Sequence, residues 1–551
     1  MEANVIQYIQ NSLRSNWEEL AFTDYKGNTY QYRDVARSIA RLHLLLKAAG
    51  INPGDKIALC GKNSSAWAMT FLGVLTYGAV PVPILHEFKA DNVHHIVTHS
   101  EARLLFCEAN IWENLDEAQM PLIIGAMRFA DWQPFITRDE SLATAIAQLD
   151  ALYAARYPTR LQPSDVKYVL PKRDDLALIN YTSGSTGFSK GVMVPYRAIA
   201  SNLRFCIEHL TFLLPGDQVI CMLPLAHMYG LVIEMLHTFV KGCHIFFLTR
   251  VPSPRIIMEA LATVKPKLII TVPLVIEKIV RSNVFPLLEK PYMELLLKVP
   301  FVNSRLLNVV KSRLTAALGG NLRELIIGGA ALNKDVEEFL RRIGFPITVG
   351  YGMTECAPLI SYAPWDENRP GSCGKIVDRL QARIDSPDPA ATAGELWVKG
   401  DHTMLGYFKN TAATEAVMGA DGWLNTGDLC TLDADGFLFI RGRSKNMILG
   451  PSGQNIYPEE IEQQINNLPL VNESIVIEEG GQLVALIYPD IENGIKQGLS
   501  LSDLEVVMND NIAKLNKQLA AYERISRVKV YQEEFEKTPK RSIKRYIYQH
   551  S

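Results

Sequence analysis

At 551 residues the chain is too long for one compact core, so at least two domains are expected. Hydrophobic residues make up 48% and charged residues 21%, which argues against disorder, and a net charge of −3 with a pI near 6.4 argues against nucleic acid as a partner. The eight cysteines, at 60, 107, 206, 221, 243, 356, 373 and 430, have no CxxC spacing, so they read as reduced, packed thiols of a cytoplasmic protein.

The first residues lack a basic start followed by an apolar core and do not read as a signal peptide. The uncharged stretch Ala66–Leu85 mimics a membrane span, but Gly73, Gly78, Pro81 and Pro83 interrupt it. It reads as a buried helix after the polar Lys62–Ser65, running into a buried strand near Ala79–Leu85. Strand-like runs follow at Ile57–Cys60, Ala177–Tyr181, Leu268–Val272, Glu324–Ile327 and Ile347–Val349, with helical patterns between them. In one of these, Asp335–Ile343, Val336, Phe339, Leu340 and Ile343 form a face, with i,i+4 pairs Glu337–Arg341 and Glu338–Arg342 opposite. Gly394–Ile440 reads as a small β-rich subdomain. From Arg443 the pattern changes. Pro458 opens a helix, strands follow at Ser474–Ile477 and Leu483–Tyr488, Ser502 and Glu505 suggest a capping box, and Ile525–Tyr531 is a last strand. The expected fold is α/β: a large N-terminal domain (1–442) of helix-covered sheets with a β-rich subdomain, and a small mobile α+β C-terminal domain (443–551).

The run Tyr181-Thr-Ser-Gly-Ser-Thr-Gly-Phe-Ser-Lys190-Gly follows a strand-like segment. Its glycines bring backbone N–H groups close to an anion, Thr182, Ser183, Ser185 and Thr186 add hydroxyl donors, and Lys190 adds charge, as a polyphosphate requires. It does not fit the P-loop pattern, since Gly191 stands where Ser or Thr should follow the lysine. The string closely resembles the signature of the adenylate-forming superfamily, which holds acyl- and aryl-CoA synthetases, luciferases and the adenylation domains of peptide synthetases. Four further segments occur in that superfamily's order: Gly328-Gly-Ala-Ala331 with Gly350-Tyr-Gly-Met-Thr-Glu355, Asn425-Thr-Gly-Asp428, Arg441-Gly-Arg443-Ser-Lys445, and Gly453-Gln-Asn-Ile-Tyr-Pro458. The stretches Val272–Lys278, Phe285–Leu318 and Gly442–Glu462 look most like those of bacterial long-chain fatty acyl-CoA synthetases.

The resemblance implies an enzyme that uses ATP and Mg²⁺ to join a carboxylic acid to AMP and then passes the acyl group to coenzyme A. It implies nucleotide contacts from Thr182, Ser183, Gly184, Ser185, Thr186, Gly187, Gly328, Gly329, Ala330, Tyr351, Gly352, Asp428 and Arg443. Lys190, Thr354 and Glu355 would serve catalysis, and Thr186 and Glu355 would hold the metal. His227, Met228 and Gly350 would shape the acyl pocket, with His227 a wall rather than a base, because a carboxylate is already ionised at neutral pH. Lys445 would be the hinge, and Gly453 with Gln454 would border the thiol channel.

The tail departs from the family. Its usual Lys-Thr-x-x-Gly-Lys-Ile-x-Arg reads Lys537-Thr-Pro-Lys540-Arg541-Ser542-Ile543-Lys544-Arg545, placing Ser542 where the adenylating lysine is expected. Lys540 or Lys544 could substitute, each about 7 Å from Ser542 along an extended segment. Three readings stay open: a fatty acyl-CoA ligase with a substitute lysine, transfer to a carrier protein's phosphopantetheine arm, or an impaired homologue that only binds nucleotide. No anchor is evident, and weak peripheral contact with the inner membrane stays open.

Overall fold

The computed structural model describes residues 4–182, 190–249, 254–288, 290, 292, 293, 296, 299–449, 454–538 and 543–549. Alternating strands and helices build several sheets. One has the order Val80–Ile84, Lys56–Cys60, Ala102–Cys107, Gly125–Arg128, Pro134–Thr137, parallel except for its last pair. A second orders Gln218–Cys221, His244–Phe247, Leu20–Asp24 and Thr29–Gln31. A third, all parallel, orders Leu268–Thr271, Glu324–Ile327 and Ile347–Val349. Parallel strands need helical crossovers, so both faces are covered and the strands are mainly apolar.

The stretch that mimics a membrane span resolves as expected. Ser64 accepts from Trp67 N–H and caps the helix Ser65–Tyr77, Gly78 ends it with a φ of +91°, and Val80–Ile84 follows as a wholly buried strand. Among the described residues no helix is long and apolar enough to cross a membrane. All eight cysteines are free and buried, as their spacing suggests.

An antiparallel sheet of Leu380–Asp385, Gly394–Gly400, Leu424–Leu432 and Leu438–Arg443 forms the β-rich part. Beyond it, Val471–Glu479, Gln482–Pro489 and Ile525–Val530 form a sheet whose core includes Ile461, Ile465, Met508, Ile512 and Leu515. This last unit touches the rest of the chain through polar contacts: Arg281 donates to the Asn466 carbonyl and to Asn467 Oδ1, Gln463 donates to the Leu332 carbonyl, and Arg441 pairs with Glu460.

Two local expectations need correction. The capping box lies two residues earlier than Ser502 and Glu505: Ser500 caps the helix Leu501–Leu515 with Asp503 as its reciprocal partner. Ser500 accepts from the Asp503 N–H while Asp503 accepts from the Ser500 N–H, and this reciprocal pair starts the helix at Leu501, ahead of Ser502. In Lys334–Arg342, Glu337 pairs with Arg341 at 2.8 Å, but Glu338 faces Lys334 rather than Arg342. Glu337 is moreover buried, and its carboxylate also accepts from the Gly371 N–H, which satisfies it there.

Candidate active site

The structure adds a second strand, after the phosphate-loop residues, to the one expected before them. Leu176–Thr182 pairs antiparallel with Lys190–Pro195, and Thr182 sits opposite Lys190. Ser183, Gly184, Ser185, Thr186 and Gly187 lie outside the described residues, as do Gly453, Lys540 and Ser542. Lys190 carries its ammonium over the Tyr407 ring, 4.9 Å from the centroid. The Tyr407 hydroxyl in turn donates to Glu355 Oε1 at 2.8 Å.

Glu355 stands on a short 3₁₀ turn, Thr354–Cys356, just after Tyr351–Gly352. Gly352 is required here: a Cβ on it would come within 2.1 Å of the Pro358 carbonyl oxygen, so no larger residue lets the two strands close. Across the cleft, Asp428 is buried and pairs with Arg443 Nε at 2.8 Å, and the Tyr351 hydroxyl donates to its other oxygen in a short hydrogen bond. Burial pushes the Asp428 carboxyl up from its ordinary value, while Arg443 and Tyr351 oppose the rise. Residues far apart in the chain, Tyr351, Asp428 and Arg443, thus form one polar cluster beside Glu355.

Next to this cluster opens a cavity. Gly328, Gly329, Gly350, Tyr351, Gly352 and Thr354 line it on one side, together with His227. The rest of its wall is apolar or aromatic: Phe205, Leu210, Tyr229, Ile233, Leu359 and Tyr362 among others. Ala330 is exposed outside the cavity, and Met228, fully buried, packs into the core behind it. Lys445 is exposed on the turn Ser444–Asn446, and Gln454 holds a buried side-chain oxygen without a partner among the described residues. Lys544 pairs with Glu536 at 3.1 Å.

Sequence reasoning missed the residues that hold the His227 loop in place. Glu234 is buried and accepts from the Met222 and Leu223 N–H groups, each at 3.0 Å. Asn63 accepts from Leu225 N–H and donates to the Leu223 carbonyl, while Asn180 donates to the Ala226 carbonyl. The loop then enters a π-helical stretch, Tyr229–Leu236, a rare form frequent at functional sites. The charge of Glu234 within an otherwise apolar run, Leu231–Leu236, was the one available signal.

Comparison with known proteins agrees with this arrangement. Residues 9–408 match the model of the AMP-binding enzyme family, and residues 445–550 match that of the AMP-binding enzyme C-terminal domain. A long-chain-fatty-acid–CoA ligase of Mycobacterium bovis, FadD15, is 28% identical over 507 residues, covering 86% of this chain and 80% of the relative. A long-chain-fatty-acid–CoA ligase of Yersinia pestis is 28% identical over 86% of this chain and 83% of its own length. The crystal structure of ATP-bound MatB from Rhodopseudomonas palustris superposes with a TM-score of 0.77 at 24% identity, covering 100% of this chain and 98% of that one. The anthranilate CoA ligase AuaEII in complex with anthranoyl-AMP gives a TM-score of 0.78 at 19% identity, covering 100% and 97%. These two structures share its fold.

Proposed function

The chain belongs to the AMP-binding enzyme family, and we propose that this enzyme is an AMP-forming acid–thiol ligase that joins a medium- or long-chain fatty acid to coenzyme A. The observation that carries the reading is the cavity beside the Gly350–Thr354 stretch: among the described residues that line it there is no lysine, arginine, aspartate or glutamate. Such a pocket recognises an apolar tail, each methylene contributing about 0.8 kcal/mol on burial. The names of the Mycobacterium bovis and Yersinia pestis relatives support the same substrate class.

In this reading the acid lies in the cavity with its carboxylate toward Thr354. Asp428 accepts from the ribose hydroxyls, and Arg443 holds Asp428 in place. The carboxylate attacks the α-phosphorus of ATP, forming acyl-AMP and releasing pyrophosphate, while Lys190 balances the charge of the departing group. The residues also fit Mg²⁺, which takes one or two carboxylates beside phosphate oxygens. Glu355, whose Oε1 is held by the Tyr407 hydroxyl, supplies one such carboxylate. Glu355 would hold the ion, which supplies neutralising charge on the polyphosphate. The segments 1–442 and 443–551 act as two bodies, and turning about Lys445 lets one nucleotide site serve both adenylation and thioester formation.

The test measures AMP and pyrophosphate release over a panel of carboxylic acids, with coenzyme A, with a carrier protein, or with neither. Acyl-CoA formed from fatty acids is the expected result. Thioester formed only on the carrier protein would overturn the acceptor, and ATP binding without turnover of any acid would overturn the enzymatic reading.

A further inference from the structure

Tyr407 joins two groups that lie far apart in the chain. Its hydroxyl donates to Glu355 Oε1 at 2.8 Å, and its ring face lies 4.9 Å from the Lys190 ammonium. The side chain is only 7% exposed, so little bulk water competes with either contact. Its backbone is fixed as well. Gly406 and Tyr407 pair with Met193 and Val192, Phe408 N–H donates to the Gly191 carbonyl at 2.7 Å, and Met404 N–H donates to the Glu355 carbonyl at 2.8 Å. One short strand therefore clamps the end of the phosphate hairpin to the turn that carries Glu355. Tyr407 is the side chain at that junction.

We propose that Tyr407 is a positioning residue for adenylation: it fixes the Glu355 carboxylate through one oxygen, so that the other serves the metal, and it seats Lys190 at the same end of the nucleotide. The inference rests on the proposed roles of Glu355 and Lys190. A carboxylate that accepts one outer hydrogen bond loses the freedom to rotate away from an ion, and such partners tune metal affinity strongly. A lysine over an aromatic face keeps its charge while giving up part of its conformational freedom. The structure thus links the metal-binding acid and the phosphate-binding cation through one phenol.

Tyr407→Phe removes the hydroxyl and keeps the ring; Tyr407→Leu removes both. In Tyr407→Phe the Mg²⁺ concentration for half-maximal acyl-adenylate formation rises about tenfold or more. By calorimetry without acid, its affinity for ATP falls in Mg²⁺ and is unchanged without it. Conversion of pre-made acyl-adenylate to thioester stays within about twofold of the parent, because neither contact serves that step. Tyr407→Leu shows the same Mg²⁺ shift and also binds metal-free ATP more weakly, so either variant that folds tests the proposal. In a Glu355→Gln background, Tyr407→Phe produces no further change in Mg²⁺ dependence. An unchanged Mg²⁺ requirement, equal losses in both half-reactions, or additive effects with Glu355→Gln would overturn the proposal. A parent enzyme that forms no acyl-adenylate in Mg²⁺ would instead overturn the underlying reading, and that result precedes any variant.

Discussion

Glu234 carries no reacting group, yet it sets the position of one wall of the cavity. Its two oxygens accept from Met222 and Leu223 N–H groups, and the Cys221 thiol lies 3.1 Å away. Burial outweighs these hydrogen bonds and pushes the carboxyl up to about 8 from an ordinary 4.5. The folded protein therefore holds this proton at pH values where the unfolded chain has released it. The resulting stabilisation is full below about pH 4.5 and is lost as pH rises through about 8. Glu234→Gln places an amide N–H against a backbone donor and is expected to cost about 1–3 kcal/mol. Between about pH 4.5 and pH 8 that deficit shrinks and then reverses, because the parent's loss over this range exceeds what the hydrogen bond contributes. Urea unfolding of both proteins at the two ends of the range checks this, and a deficit independent of pH would refute it. The KM for the acid should rise in the variant, since the His227 loop loses an anchor.

At the scale of elements, the helix Tyr196–His209 and the strand Leu359–Tyr362 close the apolar end of the cavity. Phe205 and Tyr362 meet edge to face, 6.0 Å apart, and Glu324 accepts from the Tyr362 hydroxyl at 2.8 Å. Phe205→Ala deepens this end. It is expected to raise kcat/KM for longer acids relative to shorter ones by up to about fourfold per methylene accommodated. The ratio between two acids cancels any general loss of active enzyme, so an unchanged ratio would rule out this wall as a length determinant. How these elements form was largely legible in the sequence. Glu324–Ile327 and Ile347–Val349 are strands over the residues their apolar runs mark. The break at Gly78 divides helix from strand where glycine and proline enter the chain. What the chain order could not show is which strands become neighbours. Tyr362 lines the cavity only because Leu359–Tyr362 pairs with Tyr351–Gly352, and Tyr407 meets Glu355 only because Gly406–Tyr407 pairs with the phosphate hairpin. Such contacts depend on long-range pairing, to which hydrophobic periodicity is blind. The motif residues Gly328, Gly350, Tyr351 and Thr354 were legible as a set because family resemblance carries spatial information that one sequence's periodicity lacks.

At the scale of the whole molecule, the two proposed bodies must cooperate through a tail that lacks the usual lysine. The described cations of that tail are all engaged with carboxylates of their own unit. Lys537 meets Glu473 and Glu534, Lys544 meets Glu536, and Arg545 meets the buried end of Glu462. These pairs differ in strength. Glu462 is mostly enclosed, its side chain 12% exposed, and its carboxyl is pushed up to about 7 by desolvation against the pull of Arg545, so breaking that pair leaves a poorly solvated charge. The Lys544–Glu536 pair is solvent-facing and contributes about 0.2–1 kcal/mol, little enough to be released when the unit turns. Arg545 therefore anchors the tail, while Lys544 is tethered weakly two residues beyond Ser542. If Lys544 supplies the charge for adenylation, Lys544→Ala slows acyl-adenylate formation by about 10²–10³ while leaving thioester formation from pre-made acyl-adenylate intact. Ser542→Lys then restores the lost rate in that background and adds little to the parent enzyme. A large gain from Ser542→Lys in the parent, with Lys544→Ala silent, would show that the tail works without an efficient substitute at Lys544. Pyrophosphate release in a single turnover, measured without coenzyme A, separates these outcomes because it reports adenylation before the small unit has to turn.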